Sequence, residues 1–312
     1  MIVRDTLPTR NPLLAFILLC SFSILFWWHF LVVTLGLALA NDAYTHIILI
    51  VPLALALIYF DSKRQDSPQD SPKMDSKALP FEPRSSPRIG AALMAMALLI
   101  ACYARWGMAG APGDVRLSIG MLALVIWWMA SVLLCFGSRT FRSFLFPLFF
   151  LFLIVPIPEL ALGWVVDFLQ QQSAVAARIM FRAIRVPVTQ DGIMLSIPGL
   201  DIEVARECSS IRSSLMLVVT TMFLAQLLLR SWWRKALLIA VSIPLSVAKN
   251  GLRIVTIGEL GTRVDPGFLN GNLHHRGGII FFGIAVLAVG LLLWGLRRSE
   301  LTVGGASVTR VR

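Results

Sequence analysis

Residues 204–229 read VARECSSIRSSLMLVVTTMFLAQLLL. From Leu215 to Leu229 the stretch has no charged residue, and with the step before it the run predicts a membrane-spanning helix over 211–229. The first half is polar and serine-rich, and it places Cys208 at the mouth of that span. Cys20, Cys102 and Cys135 lie inside apolar runs, where a cysteine packs as a small hydrophobe. Cys208 does not.

The pattern repeats along the chain. Apolar segments long enough to cross a bilayer fall near 13–37, 43–60, 89–109, 115–136, 141–157, 211–229, 235–257 and 277–296. The fifth is the shortest. The composition agrees: of 312 residues, 57% are hydrophobic, and the mean hydropathy is +0.78. These values exclude a soluble domain and predict an all-α polytopic membrane protein of about eight transmembrane helices. The net charge of +11 would suggest nucleic acid in a soluble chain. Here the basic residues cluster between spans, as the positive-inside rule requires, and no nucleic-acid partner is expected.

With the N-terminus cytoplasmic, the cytoplasmic segments hold Arg4 and Arg10, a group from Lys63 to Arg88, Arg139 and Arg142, then Arg230, Arg234 and Lys235, and finally Arg297 to Arg312. The short outer segments 38–42 and 110–114 hold no Lys or Arg. Both termini are therefore expected inside. The first apolar run is too long for a signal core and reads as an anchor. Residues 1–296 are expected to form one membrane domain, with a basic cytoplasmic tail at 297–312. Segment 61–88 is rich in Pro, Ser and charge and reads as a flexible cytoplasmic linker. No CxxC, HExxH or GxxxxGK[ST] pattern is present, so no metal or organic cofactor is expected.

The longest outer segment is 158–210. Over 163–185, Asp167, Gln171, Arg178, Arg182 and Arg185 share one helical face, with Val165, Phe168, Leu169, Ile179 and Met180 away from it. This predicts an amphipathic helix in the membrane interface. Asp191-Gly192 then gives a two-residue hairpin signal. Ile193, Leu195 and Ile197 alternate, as do Leu200, Ile202 and Val204, so a small β element leads into Cys208.

Counting spans brings three distant features to one leaflet: Cys208 before span six, Arg253 of KNGLRIV in the outer part of span seven, and His274 and His275 of NLHHRGG before span eight. A cysteine, a histidine and an arginine suffice for acyl transfer. A thiolate forms the thioester, an imidazole moves protons, and a guanidinium stabilises the oxyanion and favours the thiolate. Spacing alone leaves other readings open. A juxtamembrane arginine snorkels to headgroups, and a lone cysteine packs. A transporter or flippase for lipid-linked saccharide, or a non-catalytic scaffold for polysaccharide export, would have similar hydropathy. A transport path, however, needs ionisable groups at mid-membrane depth, and most of those here sit at span ends.

ECSSIRSS, KNGLRIV and LHHRGGIIFF, in this order and on consecutive spans, resemble the exosortase/archaeosortase family of membrane cysteine transpeptidases. Glu207, Cys208, Ser209, Ile211 and Arg212 match the pattern around the family cysteine, with Ser210 where glycine is usual. Asn250 and Arg253 match its N-x-x-R. His274 stands four residues before Gly278, ahead of Phe281-Phe282, and matches the family histidine; His275 is the alternative. Asp42, Tyr44, His46 and Pro52 resemble an early D-x-Y-x-H…P span, and Pro147, Pro156 and Pro158 a later proline-marked one.

The resemblance implies Cys208 as nucleophile, His274 as general acid and base, and Arg253 as oxyanion stabiliser. It also implies substrates that end in a short motif such as Pro-Glu-Pro, one transmembrane helix and a basic tail. The enzyme would sit in a bacterial inner membrane and pass the acyl group outside to an unidentified surface acceptor, in systems that accompany exopolysaccharide production. Arg178, Arg182, Arg185 or Arg206 could meet an acidic motif residue, or lipid headgroups. Glu207, Ser209, Ser210, Arg212, Asn250, His46 and Asp42 are candidates for substrate contact or for support of the catalytic groups.

Overall fold

The computed structural model describes residues 11–65, 87–204, 211–267 and 278–308. The chain is an all-α polytopic membrane protein with one small sheet. Six helices are long and apolar enough to span a bilayer. The number rises to eight when each of two bent pairs counts as one span: Pro12–Phe26 with Trp28–Ala40, and Leu145–Ile154 with Glu159–Ala183. The chain divides into two compact units, Met1–Glu159 and Leu160–Arg312.

The first unit opens with α1 (Pro12–Phe26) and α2 (Trp28–Ala40). One continuous span was expected over 13–37; the two helices instead meet at a 71° bend. Neither Pro nor Gly marks the break. Trp27 sits there fully buried, and its indole N–H donates to the Gly120 carbonyl at 3.0 Å. An indole N–H removed from water needs an acceptor, and α5 (Gly113–Ser143) supplies it. Gly120 also makes room for Phe30, since a Cβ there would lie 2.4 Å from that ring.

Next come α3 (Ile47–Gln65) and α4 (Pro87–Cys102), so both ends of the expected linker are helical and its middle, 66–86, lies outside the described residues. The expected fifth span, 141–157, is broken: its first residues end α5, and the rest forms α6 (Leu145–Phe150) and a 3-10 turn, Leu151–Ile154. The following Pro156 and Pro158 lack the N–H that a longer helix would need. Three bonds fix this proline loop. Tyr44 donates to the Ile157 carbonyl at 2.8 Å, Ser118 to the Pro156 carbonyl at 2.7 Å, and the Glu159 amide to Asp114 at 2.7 Å.

In the second unit α7 extends over Glu159–Ala183, close to the expected amphipathic helix. Its faces differ from the two expected. A buried stripe of Val166, Leu169, Gln170, Ser173, Ala174, Ala177 and Phe181 packs inward. Val165, Phe168 and Ile179 are exposed, as is Trp164. Hydropathy cannot tell lipid contact from protein contact: Leu169 and Phe181 bury with the small residues, while the equally apolar Phe168 and Ile179 are exposed. The helix ends in a Schellman turn, with Val186 N–H on the Phe181 carbonyl and Arg185 at φ 62 where glycine is common.

Strands β1 (Thr189–Asp191), β2 (Met194–Ile197) and β3 (Leu200–Glu203) form an antiparallel meander. The first turn is Gly192-Ile193, one residue later than expected, because Asp191 pairs with Met194. Gly192 supplies the positive φ of 58° at the first turn position. Pro198-Gly199 makes the second turn, with Gly199 at φ 84. The alternation is as expected: Leu195, Ile197 and Val204 are buried in a core with Ala177, Phe181 and Ile254.

Helices α8 (Ile211–Leu228), α9 (Trp232–Arg263) and α10 (Gly278–Val308) pack through a second core that includes Leu217, Leu238, Ala285 and Val289. Glu300 closes their shared end. It accepts from the Arg230 and Ser231 amides at 3.1 and 2.8 Å and pairs with Arg234 at 3.3 Å. A carboxylate at the start of α9 offsets that helix's unsatisfied N–H groups. α10 continues through Val308, so most of the expected basic tail is helical.

Candidate functional site

The site is built on α9. Two glycines in this helix permit close packing. A Cβ on Gly251 would lie 2.9 Å from the Ala176 Cβ and 3.0 Å from the Ala177 nitrogen; one on Gly258 would lie 2.9 Å from Ile202. They are seven residues apart, which puts them on one face, and that face abuts α7 and β3.

Asn250 fixes the register of this packing. It is 1% exposed, and its Nδ2 donates to Ser173 Oγ of α7 at 2.9 Å; Ser173 is also 1% exposed. The Asn250 Oδ1 has no hydrogen-bond partner among the described residues. One helical turn back on α7, Gln170 donates from Nε2 to the Val204 carbonyl at 2.7 Å. Val204 lies just past β3, four residues before Cys208, and its own N–H donates to the Ile193 carbonyl at 3.0 Å. Adjacent turns of α7 therefore hold both the helix that carries Arg253 and the strand that leads toward Cys208.

On another side α9 meets α8. Lys249 is 5% exposed, and its ammonium donates to Ser213 Oγ in the first turn of α8. Ser214 is buried beside it, its hydroxyl without a partner among the described residues. Arg253 follows Lys249 by four residues, so the two cations share one helix face. Arg253 is partly exposed, and Arg212 on α8 is exposed.

Of the sequence-derived site residues, Asn250, Arg253 and Arg212 lie in this second unit. Arg206, Glu207, Cys208, Ser209, Ser210, His274 and His275 lie outside the described residues. Asp42 and His46 belong to the first unit. His46 is buried, with Nδ1 3.1 Å from the Ala43 carbonyl, a contact that fixes the entry of its own helix; Asp42 is exposed. Arg178 is partly exposed, and Arg182 and Arg185 are exposed.

Sequence reasoning did not single out Lys249, Ser213, Ser173 or Gln170. Lys249 had a signal: a lysine inside an apolar span, one turn before an arginine, is costly enough to demand a reason. Ser173 and Gln170 had none, because their importance comes from the elements packed on them.

Among the described residues no group of three or more His, Cys, Asp or Glu could hold a metal ion. A model of the transmembrane exosortase family matches residues 27–291, which include both the Cys208 segment and the Asn250–Arg253 segment. No curated protein and no solved structure matches the chain. With most of its length matched, the chain belongs to the transmembrane exosortase family.

Proposed function

We propose that this transmembrane exosortase is a cysteine transpeptidase that cleaves C-terminal sorting tails of exported proteins at the outer membrane face. Family membership supports a membrane transpeptidase-type role in general. The Cys208 thiolate attacks the carbonyl at the sorting motif, and Arg253 stabilises the resulting oxyanion. The C–N bond breaks as His274, or His275 in its place, gives its proton to the leaving amine. A thioester joins Cys208 to the retained part of the substrate. An acceptor nucleophile then loses its proton to the imidazole and attacks, and the C–S bond breaks to return the thiolate.

One observation carries this reading. Arg253 stands on a helix tied by Lys249 to the first turn of α8, and Cys208 is three residues before that helix begins. This closeness in sequence supports reading the cysteine segment and the arginine's helix as parts of one site. The same helix is held on its other side by Asn250 and Ser173.

A substrate held in the bilayer by its own helix would bring its motif to this end of the bundle laterally. The exposed apolar residues Trp164, Phe168 and Ile179 of α7 are consistent with a lipid-facing surface there. The test is processing of a tagged substrate with a sorting tail in cells. Cys208→Ala, Arg253→Ala and His274→Ala should each accumulate full-length substrate at normal enzyme abundance. Continued processing with Cys208→Ala removes the reading.

A further inference from the structure

The turn between α8 and α9 and the C-terminal half of α10 meet at one end of the second unit, where Glu300 locks them together. Its carboxylate accepts from the Arg230 and Ser231 amides and pairs with Arg234, so the start of α9 is filled from within the chain. The charge around it is one-sided. Residues 226–236 and 294–300 hold Arg230, Arg234, Lys235, Arg297 and Arg298, and Glu300 is their sole acidic residue. One carboxylate neutralises one cation, whatever the local pairing, and a positive surplus remains. Arg230, Arg297 and Arg298 are exposed.

The same end carries three exposed tryptophans: Trp232 at 80%, Trp294 at 61% and Trp233 at 49%. In a membrane protein, indoles at the ends of spans sit at headgroup level. Two of them lie against cations. Arg234 is over Trp233, 5.0 Å from the ring centroid, and Arg298 is over Trp294 at 5.4 Å. Each ring continues into exposed apolar residues at helical spacing: Leu237 one turn after Trp233 on α9, and Leu291 and Leu287 before Trp294 on α10. Along both helices the order is therefore cation, indole, aliphatic side chain, which is the order of groups a phospholipid presents from phosphate to acyl chain.

We propose that this end of the second unit binds an anionic phospholipid, with its phosphate on Arg297, Arg230 and Arg298 and its acyl chains along the exposed leucines below the tryptophans. A guanidinium fork matches phosphate oxygens. A zwitterionic headgroup brings its own cation, which the positive surplus disfavours, so net negative charge is what the site selects. A soluble phosphate satisfies the arginines but leaves the indoles and leucines unused. Binding here is independent of the chemistry at Cys208.

The test places the full chain in nanodiscs of phosphatidylcholine that contain a trace of phosphatidylglycerol carrying a diazirine in its acyl chain near the headgroup. After photolysis, peptide mass spectrometry should find label within residues 232–237 and 287–298. Substituting unlabelled phosphatidylglycerol for part of the phosphatidylcholine should lower that label several-fold. Label on α4, where Leu99 is 71% exposed, should stay constant. Raising the salt from about 0.1 M to about 1 M shortens the screening length from about 10 Å to about 3 Å and should remove most of the excess label at the site. Arg297→Gln combined with Arg230→Gln should lower the label there several-fold and leave α4 unchanged, whereas Arg297→Lys should keep most of it. If the double variant does not accumulate, Arg297→Gln and Arg298→Gln singly carry the same measurement. Label that resists unlabelled phosphatidylglycerol, or that is unaffected by the Gln variants, overturns the inference. So does inorganic phosphate, at constant ionic strength, that competes as well as phosphatidylglycerol.

Discussion

Asn250 donates to Ser173 across the contact between α9 and α7, and both side chains are almost wholly buried. The bond sits one turn before Arg253, so it sets the rotation of the arginine's helix against the helix that also holds the strand leading to Cys208. Removing Asn250 strands a buried hydroxyl. Asn250→Leu should cost about 1–3 kcal/mol of stability and lower substrate processing further than the loss of abundance explains. Ser173→Ala should cost less, and the double variant should show coupling between the two sites. Thermal unfolding in detergent, with processing assayed in parallel, checks both.

Gly251 tests the close approach itself. Its missing side chain leaves room for the Ala177 backbone, which cannot rotate away. Gly251→Ala should destabilise by about 1–3 kcal/mol, the usual range for overpacking, and Gly251→Val by more. Gly163, with nothing within 4 Å of a Cβ, is the control on α7, and Gly163→Ala should be neutral or slightly stabilising. Equal tolerance at both positions in a thermal-shift series would contradict the packing described.

Gln170 tests the tether on the cysteine side. Gln170→Leu leaves the buried Val204 carbonyl without its side-chain donor, although the strand keeps its backbone pairing. The expected result is a processing rate lowered several-fold, with a stability loss of about 1–3 kcal/mol. Gln170→Glu removes the donor while keeping the shape, and should be no better than Leu. Wild-type processing in either variant would show that the strand end needs no fixing.

The transmembrane character, the sheet and the family were legible because each rests on a local pattern. Long apolar runs give spans, and Leu195 and Ile197 alternate because only one face of a strand is buried. What was not legible depends on tertiary partners. The bend at Trp27 comes from a carbonyl 93 residues away. The hairpin turn moved by one residue because Asp191 found a cross-strand partner in Met194. The faces of α7 could not be assigned from hydropathy, since Ala174 and Ala177 bury while Phe168 and Ile179 meet the outside. At the site, Arg253 was marked by its motif; Lys249 stood out only as a charge inside an apolar span, and its partner Ser213 is a tertiary contact.

The most direct measurement of the central claim is capture of the covalent intermediate. The enzyme is mixed with a tagged sorting-tail substrate, quenched in acid and examined by intact and peptide mass spectrometry. The account predicts an adduct on the Cys208 peptide equal to the retained acyl portion of the substrate. It should be released by neutral hydroxylamine, as a thioester is, and it should accumulate when the acceptor is withheld and be absent from Cys208→Ala. Cleaved substrate with no adduct on Cys208, together with undiminished cleavage by Cys208→Ala, would contradict it.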